Sequence, residues 1–383
     1  MKMNVKNTVF VIISAFLFSG CLNKNAPENI PLSVNTKFHQ WYYFTADGFQ
    51  KTSLPQASEI ASLKPWSESF RVSQANCDSN GNGYLLVNRL GAVFFEEGKA
   101  PVLFQDRQLF SENSASNMFF SEGEAFFTLS KNTFFNPEAS LEENFSNTQE
   151  RPFLVRIDTP SRSFFPVLTY SDISLSYGGE ITGTYFDGRT FISSVKTLEN
   201  GKTKFTFLKY TPKGSLSSLS PHSQKGKIDI EETTKEEYRK HSSPSPFSSS
   251  PKRLTELLNS LPKNFDFSVT LKNTEGSSPR LYATNPEQEN LTEAKAIIAP
   301  EWICAVFCDG TVYFRGALKD REIAGNSKTI AFKLPKLPEG YVYTDFCISY
   351  DTMAAGWEEK DFYKTGRSGF ITVDLGEVLY GKD

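Results

Sequence analysis

An all-β fold, and within that class a β-propeller, is predicted by three observations on this sequence. Phe and Tyr are abundant, at 34 and 15 of 383 residues, and aromatic residues favour pleated, half-buried surfaces. Apolar and β-branched runs recur with turn dipeptides between them, which is the pattern of hairpins. The turns are spaced by about 41 to 56 residues, a period typical of propeller blades. We expect six four-stranded blades, or seven, and a large non-propeller β fold such as a sandwich is the alternative.

The hairpins are predicted from four segments that share the order apolar run, turn glycine, apolar run. They read QWYYFTADGFQ (40–50), YLLVNRLGAVFF (84–95), TGTYFDGRTFIS (182–193) and ICAVFCDGTVYF (303–314). Positive φ angles, which tight hairpins require, are supplied by Gly91 and by the pairs Asp47-Gly48, Asp187-Gly188 and Asp309-Gly310. A fifth, weaker segment, EAFFTLSKNTFF, is expected to turn at Lys131-Asn132.

One stretch, at about 213–251, interrupts this pattern of hairpins. It is rich in Ser and Pro around the charged run DIEETTKEEYRKH, a composition typical of a mobile insertion. Ser250 as N-cap, Pro251 as first helical residue and leucines at 254, 257, 258 and 261 then predict a short amphipathic helix. This helix would pack on the rim of the fold or dock a partner. A second short helix is expected at 57–63.

The amino terminus has the layout of a secretory signal. Lys2 and Lys6 precede an apolar run from Val9 to Phe18, and small residues precede Cys21. The run is about ten residues long, whereas a membrane-spanning helix needs ~20. Residues 1–20 are therefore expected to be removed. Residues 21–37 have no apolar periodicity and two prolines, which predicts a flexible tether ahead of a folded body at 38–383.

The segment Leu17-Phe18-Ser19-Gly20-Cys21 resembles a bacterial lipobox. Phe18 stands where Leu is usual, and loose boxes of this kind resemble those of spirochaete lipoproteins. The resemblance implies cleavage after Gly20 and lipidation of the Cys21 thiol, including an acyl chain such as palmitate. An ordinary signal peptide followed by a chance cysteine is the alternative. The sequence does not choose between inner and outer membrane.

Four further cysteines allow several disulfide pairings. If Cys304 and Cys308 lie on one strand, their Cα atoms are about 13 Å apart, beyond the ~7 Å that a bridge tolerates. We therefore expect a disulfide between Cys347 and one of these two. Buried free thiols are the alternative interpretation.

No catalytic residue, metal site or cofactor is predicted. Asp78 to Gly83 fit the opening of a calcium loop, but Arg89 stands where the loop requires a glutamate. A turn of the β fold, similar to those of NHL-type propellers, is the preferred interpretation. The histidines at 39, 222 and 241 lack the spacing of a zinc site. Lys and Arg total 41 against 44 for Asp and Glu, a net charge of -3 that argues against nucleic-acid binding.

Some propellers hydrolyse glycosides with paired carboxylates. Acidic and tryptophan side chains are therefore the candidates for a carbohydrate-binding or hydrolytic site. The carboxylates are Glu96, Glu97, Asp345, Asp351, Glu358 and Asp361, and the tryptophans are Trp41, Trp66, Trp302 and Trp357. The leading expectation is a non-enzymatic protein-binding or scaffold module. It is held at the cell envelope, on the periplasmic face or the cell surface, by its N-terminal lipid and binds an envelope protein. The alternative is a carbohydrate-binding or hydrolytic propeller with a site in the central funnel.

Overall fold

Twenty-four β-strands make up most of the residues that the computed structural model describes. These residues are 32–33, 39–52, 70–78, 80–111, 113–131, 151–172, 180–186, 190–199, 202–219, 228–241, 268–272, 280–285, 288–298, 302–318, 330–360 and 367–380. The strands are, in chain order, β1 Leu32–Ser33, β2 His39–Thr45, β3 Gly48–Thr52, β4 Val72–Cys77, β5 Gly83–Val87, β6 Gly91–Phe95, β7 Val102–Gln105, β8 Asn113–Ser121, β9 Glu124–Lys131, β10 Pro152–Asp158, β11 Ser163–Thr169, β12 Glu180–Phe186, β13 Phe191–Glu199, β14 Lys202–Pro212, β15 Ile228–Thr233, β16 Ser268–Lys272, β17 Arg280–Asn285, β18 Gln288–Ile298, β19 Trp302–Phe307, β20 Thr311–Gly316, β21 Ile330–Lys333, β22 Tyr341–Ser349, β23 Thr352–Glu359 and β24 Ser368–Asp374.

These strands form five sheets, which we number by their place in the chain. Sheet I has the order β4-β5-β6-β7, sheet II β11-β10-β9-β8 and sheet III β12-β13-β14-β15. Sheet IV has the order β1-β21-β20-β19-β18-β17-β16, and sheet V β22-β23-β24-β2-β3. The all-β prediction is confirmed. The described sheets number five, three of them four-stranded, where the sequence predicts six or seven four-stranded blades.

Four short helices accompany the sheets in the described residues: α1 Arg107–Ser111, α2 Lys235–His241, α3 Leu375–Tyr380 and a 3-10 turn at Leu216–Ser218. Each α-helix begins after a polar cap. The Asp106 and Asp374 carboxylates accept from the backbone N–H groups of Leu109 and Glu377, and the Thr234 hydroxyl accepts from that of Glu237. Such caps satisfy donors left open at a helix start. The helices predicted at 57–63 and from Pro251 lie outside the described residues.

The four aligned hairpins are confirmed as antiparallel pairs. They are β2 with β3, β5 with β6, β12 with β13, and β19 with β20. In the second, Gly91 has φ +147°, and a Cβ there would lie 1.9 Å from the Phe104 carbonyl oxygen on β7. Close approach of the next strand therefore requires glycine at this position. The Asp187-Gly188 turn itself lies outside the described residues.

The fifth hairpin, expected to turn at Lys131-Asn132, falls largely outside the described residues, which stop at Lys131 and resume at Arg151. The segment from Glu124 to Lys131 is one strand, β9, which pairs with β8 on one edge and with β10 on the other. A turn lies before it, at Glu122 and Gly123, which both have positive φ. A Glu-Gly pair is a weaker turn signal than Asp-Gly or Asn-Gly, so the sequence pattern did not indicate this turn.

Part of the predicted mobile insertion at 213–251 is regular structure, which corrects that expectation. Residues 228–233 form β15, which pairs with β14 from Pro212↔Ile228 to Phe207↔Thr233. Two of its carboxylates pair with lysines: Asp229 lies 2.7 Å from Lys213, which follows β14, and Glu231 lies 3.1 Å from Lys209 on β14. The polar composition of this segment is that of an exposed edge strand. The remainder of the insertion outside 213–219 and 228–241 is not described.

Sheet V joins the two ends of the body. β2 pairs antiparallel with β24 from His39↔Val373 to Tyr43↔Gly369, and β3 pairs with the far edge of β2. The Trp357 indole N–H on β23 donates to the Tyr42 carbonyl at 3.2 Å. The first strands after the predicted tether are therefore built into the last sheet.

Apolar side chains fill the spaces between successive sheets in four clusters. One cluster lies between sheets IV and V, one between V and I, one between I and II, and one between II and III. Contacts between strands of different sheets agree with this order, because β4 lies beside both β8 and β22, and β22 lies beside β18. Each sheet is thus packed through its face against a neighbour, which is the usual way to bury an amphipathic sheet.

Candidate functional site

An ion pair lies between the sheets at a junction of β4, β18 and β22, which we call the inner junction. Lys295 on β18 forms an ion pair with Asp345 on β22 and also donates to the Ala75 carbonyl oxygen on β4. The Asp345 carboxylate accepts from the Ala75 N–H at 2.8 Å and from the Phe346 N–H at 3.0 Å. One ion pair therefore joins three sheets. The two side chains are only 22% and 16% exposed.

A β-bulge directs Asp345 toward β4. The register of β22 against β23 shifts between Tyr343 and Phe346, so Thr344 and Asp345 together face Gly356. A bulge bends its strand and re-aims the side chains within it. Gly356 is required here, because a Cβ would lie 2.4 Å from the Thr344 hydroxyl oxygen and 2.9 Å from a Val72 methyl carbon.

The other side of β4 is held by a similar arrangement. The register of β8 against β9 shifts between Ser116 and Phe119, and Met118 lies within this irregularity. Its N–H donates to the Gln74 amide oxygen at 2.8 Å, and its carbonyl accepts from the Asn76 amide at 3.4 Å. The bulged backbone of β8 thus binds side chains of β4, and the Asp345 side chain at the bulge of β22 binds the backbone of β4.

The chemistry of the inner junction is structural. Lys295 and Asp345 neutralise each other, and their hydrogen bonds go to strands of neighbouring sheets. The Lys295 ammonium also lies 5.9 Å from the centre of the Phe346 ring, within range of a cation–π contact. The junction supplies one carboxylate with donors around it, whereas glycoside hydrolysis needs two carboxyl groups across a substrate.

Asp78 organises the turn that resembles a calcium loop. One carboxylate oxygen accepts from the N–H groups of Asn80 and Asn82 at 2.9 and 2.8 Å, and the other accepts from the Asn82 amide at 2.9 Å. The turn joins β4 to β5, and the Gly81 carbonyl accepts from the Tyr350 N–H on sheet V at 3.2 Å. The carboxylate thus binds its own loop, as in an Asx turn.

We expect replacement of Asp78 by Ala to lower the free energy of unfolding by about 1 to 3 kcal/mol, because three hydrogen bonds to a buried carboxylate are lost. Urea denaturation with and without calcium measures the effect. The expected midpoint of the wild-type chain does not change with calcium. A calcium-dependent midpoint that the Asp78→Ala substitution abolishes would establish a metal loop instead.

Three buried cysteines lie in two adjoining apolar clusters, Cys77 and Cys304 in the cluster between sheets IV and V and Cys347 in the cluster between V and I. Cys77 is on β4, Cys304 on β19 and Cys347 on β22, and all three carry free thiols. Burial raises the pKa of Cys77 to about 11 and those of the other two thiols well above the ordinary value. The proximity of Cys77 was not predicted, because only the spacing of the other cysteines was considered. Because the structure leaves Cys304, Cys308 and Cys347 as free thiols, it does not contain the disulfide predicted for Cys347.

We expect the thiols of Cys77, Cys304 and Cys347 to resist a water-soluble thiol reagent at pH 8 in the folded chain. The thiolate is the reactive form, and a pKa of about 11 leaves only about 0.1% thiolate at that pH. Unfolding in guanidinium should make all three react, as counted by mass spectrometry without reductant. Rapid labelling of Cys77 before unfolding would contradict the buried placement, and two missing thiols after unfolding would establish a disulfide.

The tryptophans considered for a carbohydrate surface belong largely to the core. Trp41 and Trp357 are each 1% exposed, with ring centres 6.3 Å apart. Trp302 packs on Phe314, with ring centres 6.1 Å apart, and Trp66 lies outside the described residues. Indoles packed in this way stabilise the boundary between sheets IV and V.

The acidic candidates are dispersed. Glu96 pairs with Lys99 at 2.7 Å, and Glu358 lies 3.7 Å from Arg71. Asp345 belongs to the inner junction, and Asp361 lies outside the described residues, as does Cys21. Within the described ranges, no group of three or more His, Cys, Asp or Glu side chains is arranged to hold a metal ion.

A search for membrane-spanning helices in the described part of the chain finds none that is long and apolar enough.

Comparison with known proteins gives one family and one short sequence match. A family model described as "Family of unknown function (DUF8086)" matches residues 31–377. An uncharacterised lipoprotein of Treponema pallidum (strain Nichols) is 41% identical over 49 residues, which is 13% of this chain and 11% of that protein. The chain therefore spans about a tenth of the length of this relative.

Solved structures resemble the chain only distantly. A chain of a Saccharomyces cerevisiae complex of Dbp5 with Nup159, Gle1, IP6 and ADP aligns with a TM-score of 0.23 and 9% identity, over 91% of this chain and 98% of that one. A glycosyl hydrolase of Bacteroides ovatus aligns with a TM-score of 0.18 and 10% identity, over 90% and 92% of the two chains. At such scores neither match carries an argument about fold or function.

Proposed function

We propose that this chain, which belongs to the Family of unknown function (DUF8086), is a lipid-anchored β-propeller that binds another protein of the bacterial cell envelope. The observation that carries the proposal is the pairing of β2 with β24. It places the strands that follow the predicted lipid attachment in the same sheet as the end of the body. An anchor at Cys21 would therefore be connected along the chain to the sheet that holds both ends of the body.

The propeller architecture is supported by a repeated element. One edge strand in each of sheets I, II, III and V has a register shift against the next strand of its sheet; these edge strands are β4, β8, β12 and β22. They also lie beside one another, β22 with β4, β4 with β8, and β8 with β12. Repeated sheets that pack face to face around an axis bury their apolar faces and leave only short edges, which is the propeller solution.

Lipid anchoring is supported by the sequence around Cys21 and by the short match to a protein named as a lipoprotein. Two hydrophobic signals suffice for stable anchoring. A lipidated cysteine that carries three acyl chains has more than this number. The lipid would hold the body at the periplasmic face of a membrane or at the cell surface.

Binding rather than catalysis is supported by the chemistry of the inner junction. Its charged groups are engaged with one another and with the backbone of three sheets. An anchored body whose central polar groups hold sheets together would act through its outer surfaces and edges.

The proposal is tested by capture from the native envelope. The full chain with a C-terminal tag is cross-linked in intact cells, solubilised in detergent and purified, with a Cys21→Ser chain as the matched control. We expect one envelope protein to be recovered in constant proportion to the wild-type chain and to be lost or reduced with the control. Recovery of envelope glycan in place of a protein would favour a carbohydrate-binding function, and recovery of neither would overturn the proposal.

A further inference from the structure

Sheets I and V meet where β4 lies beside β22. At the inner junction, the Ala75 N–H on β4 donates to the Asp345 carboxylate on β22 at 2.8 Å. Just past the ends of both strands, the Tyr350 N–H donates to the Gly81 carbonyl at 3.2 Å. Both contacts advance along the two segments in the same direction. Each segment carries one cysteine between its two contacts, Cys77 on β4 and Cys347 on β22.

The Cys347 sulfur lies beside the side-chain position of Cys77. Cys77 and Gly83 are direct partners in the β4–β5 ladder, so their side-chain positions share one face of sheet I, with Cβ positions about 5 Å apart. A Cβ on Gly83 would lie 2.9 Å from the Cys347 sulfur. The absence of a side chain at Gly83 therefore admits the Cys347 thiol next to Cys77.

Hydrogen bonds place each thiol against the backbone beside the other cysteine. The Ile348 N–H donates to the Cys77 sulfur, and Ile348 directly follows Cys347. The Tyr84 N–H donates to the Cys347 sulfur, and Tyr84 directly follows Gly83, the ladder partner of Cys77. The two sulfurs thus cross the boundary between sheets I and V in opposite directions at the same level.

Cys304 is the competing partner for Cys77, because both belong to the apolar cluster between sheets IV and V. Cys304 lies on β19, where its ladder partners are Ile297 and Phe314. β19 is an inner strand of sheet IV, whereas β4 and β22 are edge strands that lie side by side. The geometry therefore favours Cys347 as the partner of Cys77.

We propose that Cys77 and Cys347 are a dithiol that closes to a disulfide when an external disulfide oxidises the chain, and that this bond locks sheet I to sheet V. One cysteine thiolate attacks the external disulfide, forms a mixed disulfide and releases one external thiolate. The second cysteine thiolate attacks the protein sulfur of the mixed disulfide and releases the other. The protons of the two cysteines go to the released thiolates, so one external disulfide is reduced to two thiols.

The structure holds the reduced form, with both thiols free. Cys77 is 5% exposed and Cys347 is 0% exposed, so an oxidant reaches them only when β4 and β22 separate locally. The bond would then hold the boundary closed beside the inner junction. This inference goes beyond the proposed function and depends on neither the lipid nor a protein partner.

The test is to oxidise the folded chain and map the bond. The full chain in detergent is incubated at pH 8 with glutathione disulfide in urea below the unfolding midpoint, alkylated, digested without reductant and analysed by mass spectrometry. We expect the Cys77–Cys347 disulfide to be at least about tenfold more abundant than any other pairing, because exchange is faster between thiols that are already held together. The same treatment in guanidinium should give a mixture of pairings. The oxidised chain should unfold at about 1 M more urea, because the bond closes a long loop.

Two matched variants each remove one buried thiol. The Cys304→Ala chain should keep the disulfide and the shift in urea midpoint, and the Cys347→Ala chain should lose both. A bond between Cys77 and Cys304, no intramolecular bond in the folded chain, or the same mixture of pairings in the folded and unfolded chains would overturn the inference. These three outcomes are read from the wild-type chain, so they do not depend on the folding of a variant.

Discussion

Replacing Asp345 with Ala is expected to lower the free energy of unfolding by about 3 to 5 kcal/mol, which is the range for breaking a buried ion pair from one side. The substitution leaves the Lys295 ammonium largely buried without its carboxylate and removes the acceptor of the Ala75 N–H. Urea denaturation followed by circular dichroism measures the loss. The effect should be large because three sheets share this one contact.

A double-mutant cycle separates the ion pair from general disruption. The chain with both Lys295→Met and Asp345→Leu should lose about 2 kcal/mol less than the sum of the two single substitutions, because no unpaired charge remains. The matched control is the exposed pair Lys99 and Glu96, with side chains 64% and 41% exposed, where Lys99→Ala should change stability by less than about 0.5 kcal/mol. Additive single effects at the inner junction would show that the pair does not couple the sheets.

Replacing Gly369 with Ala is expected to destabilise the closure of sheet V by about 3 kcal/mol, since added volume in a packed contact forces the backbone apart. A Cβ at this position would lie 2.0 Å from the Tyr42 carbonyl oxygen and 2.7 Å from the Trp357 ring. The methyl group must therefore separate β2 from β24 or displace the indole whose N–H binds Tyr42. Hydrogen exchange should rise in β2 and β3 more than in sheet II.

Gly123 supplies the control for this substitution. It has φ +81° and no atom within 4 Å of an added Cβ, so Gly123→Ala should cost only about 1 kcal/mol of backbone strain. An equal loss at both positions, or faster exchange spread evenly over all sheets after Gly369→Ala, would contradict a closure that depends on β2 and β24.

Local features of the fold were predictable from the sequence because they depend on neighbouring residues. Asp-Gly turns between apolar runs placed the hairpins at β2–β3 and β19–β20 correctly. The turn at Glu122-Gly123 was missed because its residues carry a weak signal. β15 was missed because an edge strand with carboxylates at Asp229 and Glu231 has the composition of an insertion.

Contacts between distant parts of the chain were beyond sequence reasoning. Lys295 and Asp345 are ordinary charged residues, and nothing local shows that they meet beside Ala75. The bulge at Asp345 depends on Gly356 in the next strand, which resembles any other strand glycine. Pairing of β2 with β24 joins residues more than 300 positions apart, so it can be seen only in the folded chain. Anchoring at Cys21 remains a prediction from a local motif.

The central claim, a body anchored by lipid at Cys21, is tested most directly by mass spectrometry of the N-terminal peptide of the mature protein from native membranes. We expect a chain that begins at Cys21 and carries a diacylglyceryl group on the thiol and an acyl chain. An unmodified cysteine, or a chain that begins at any other residue, would contradict it.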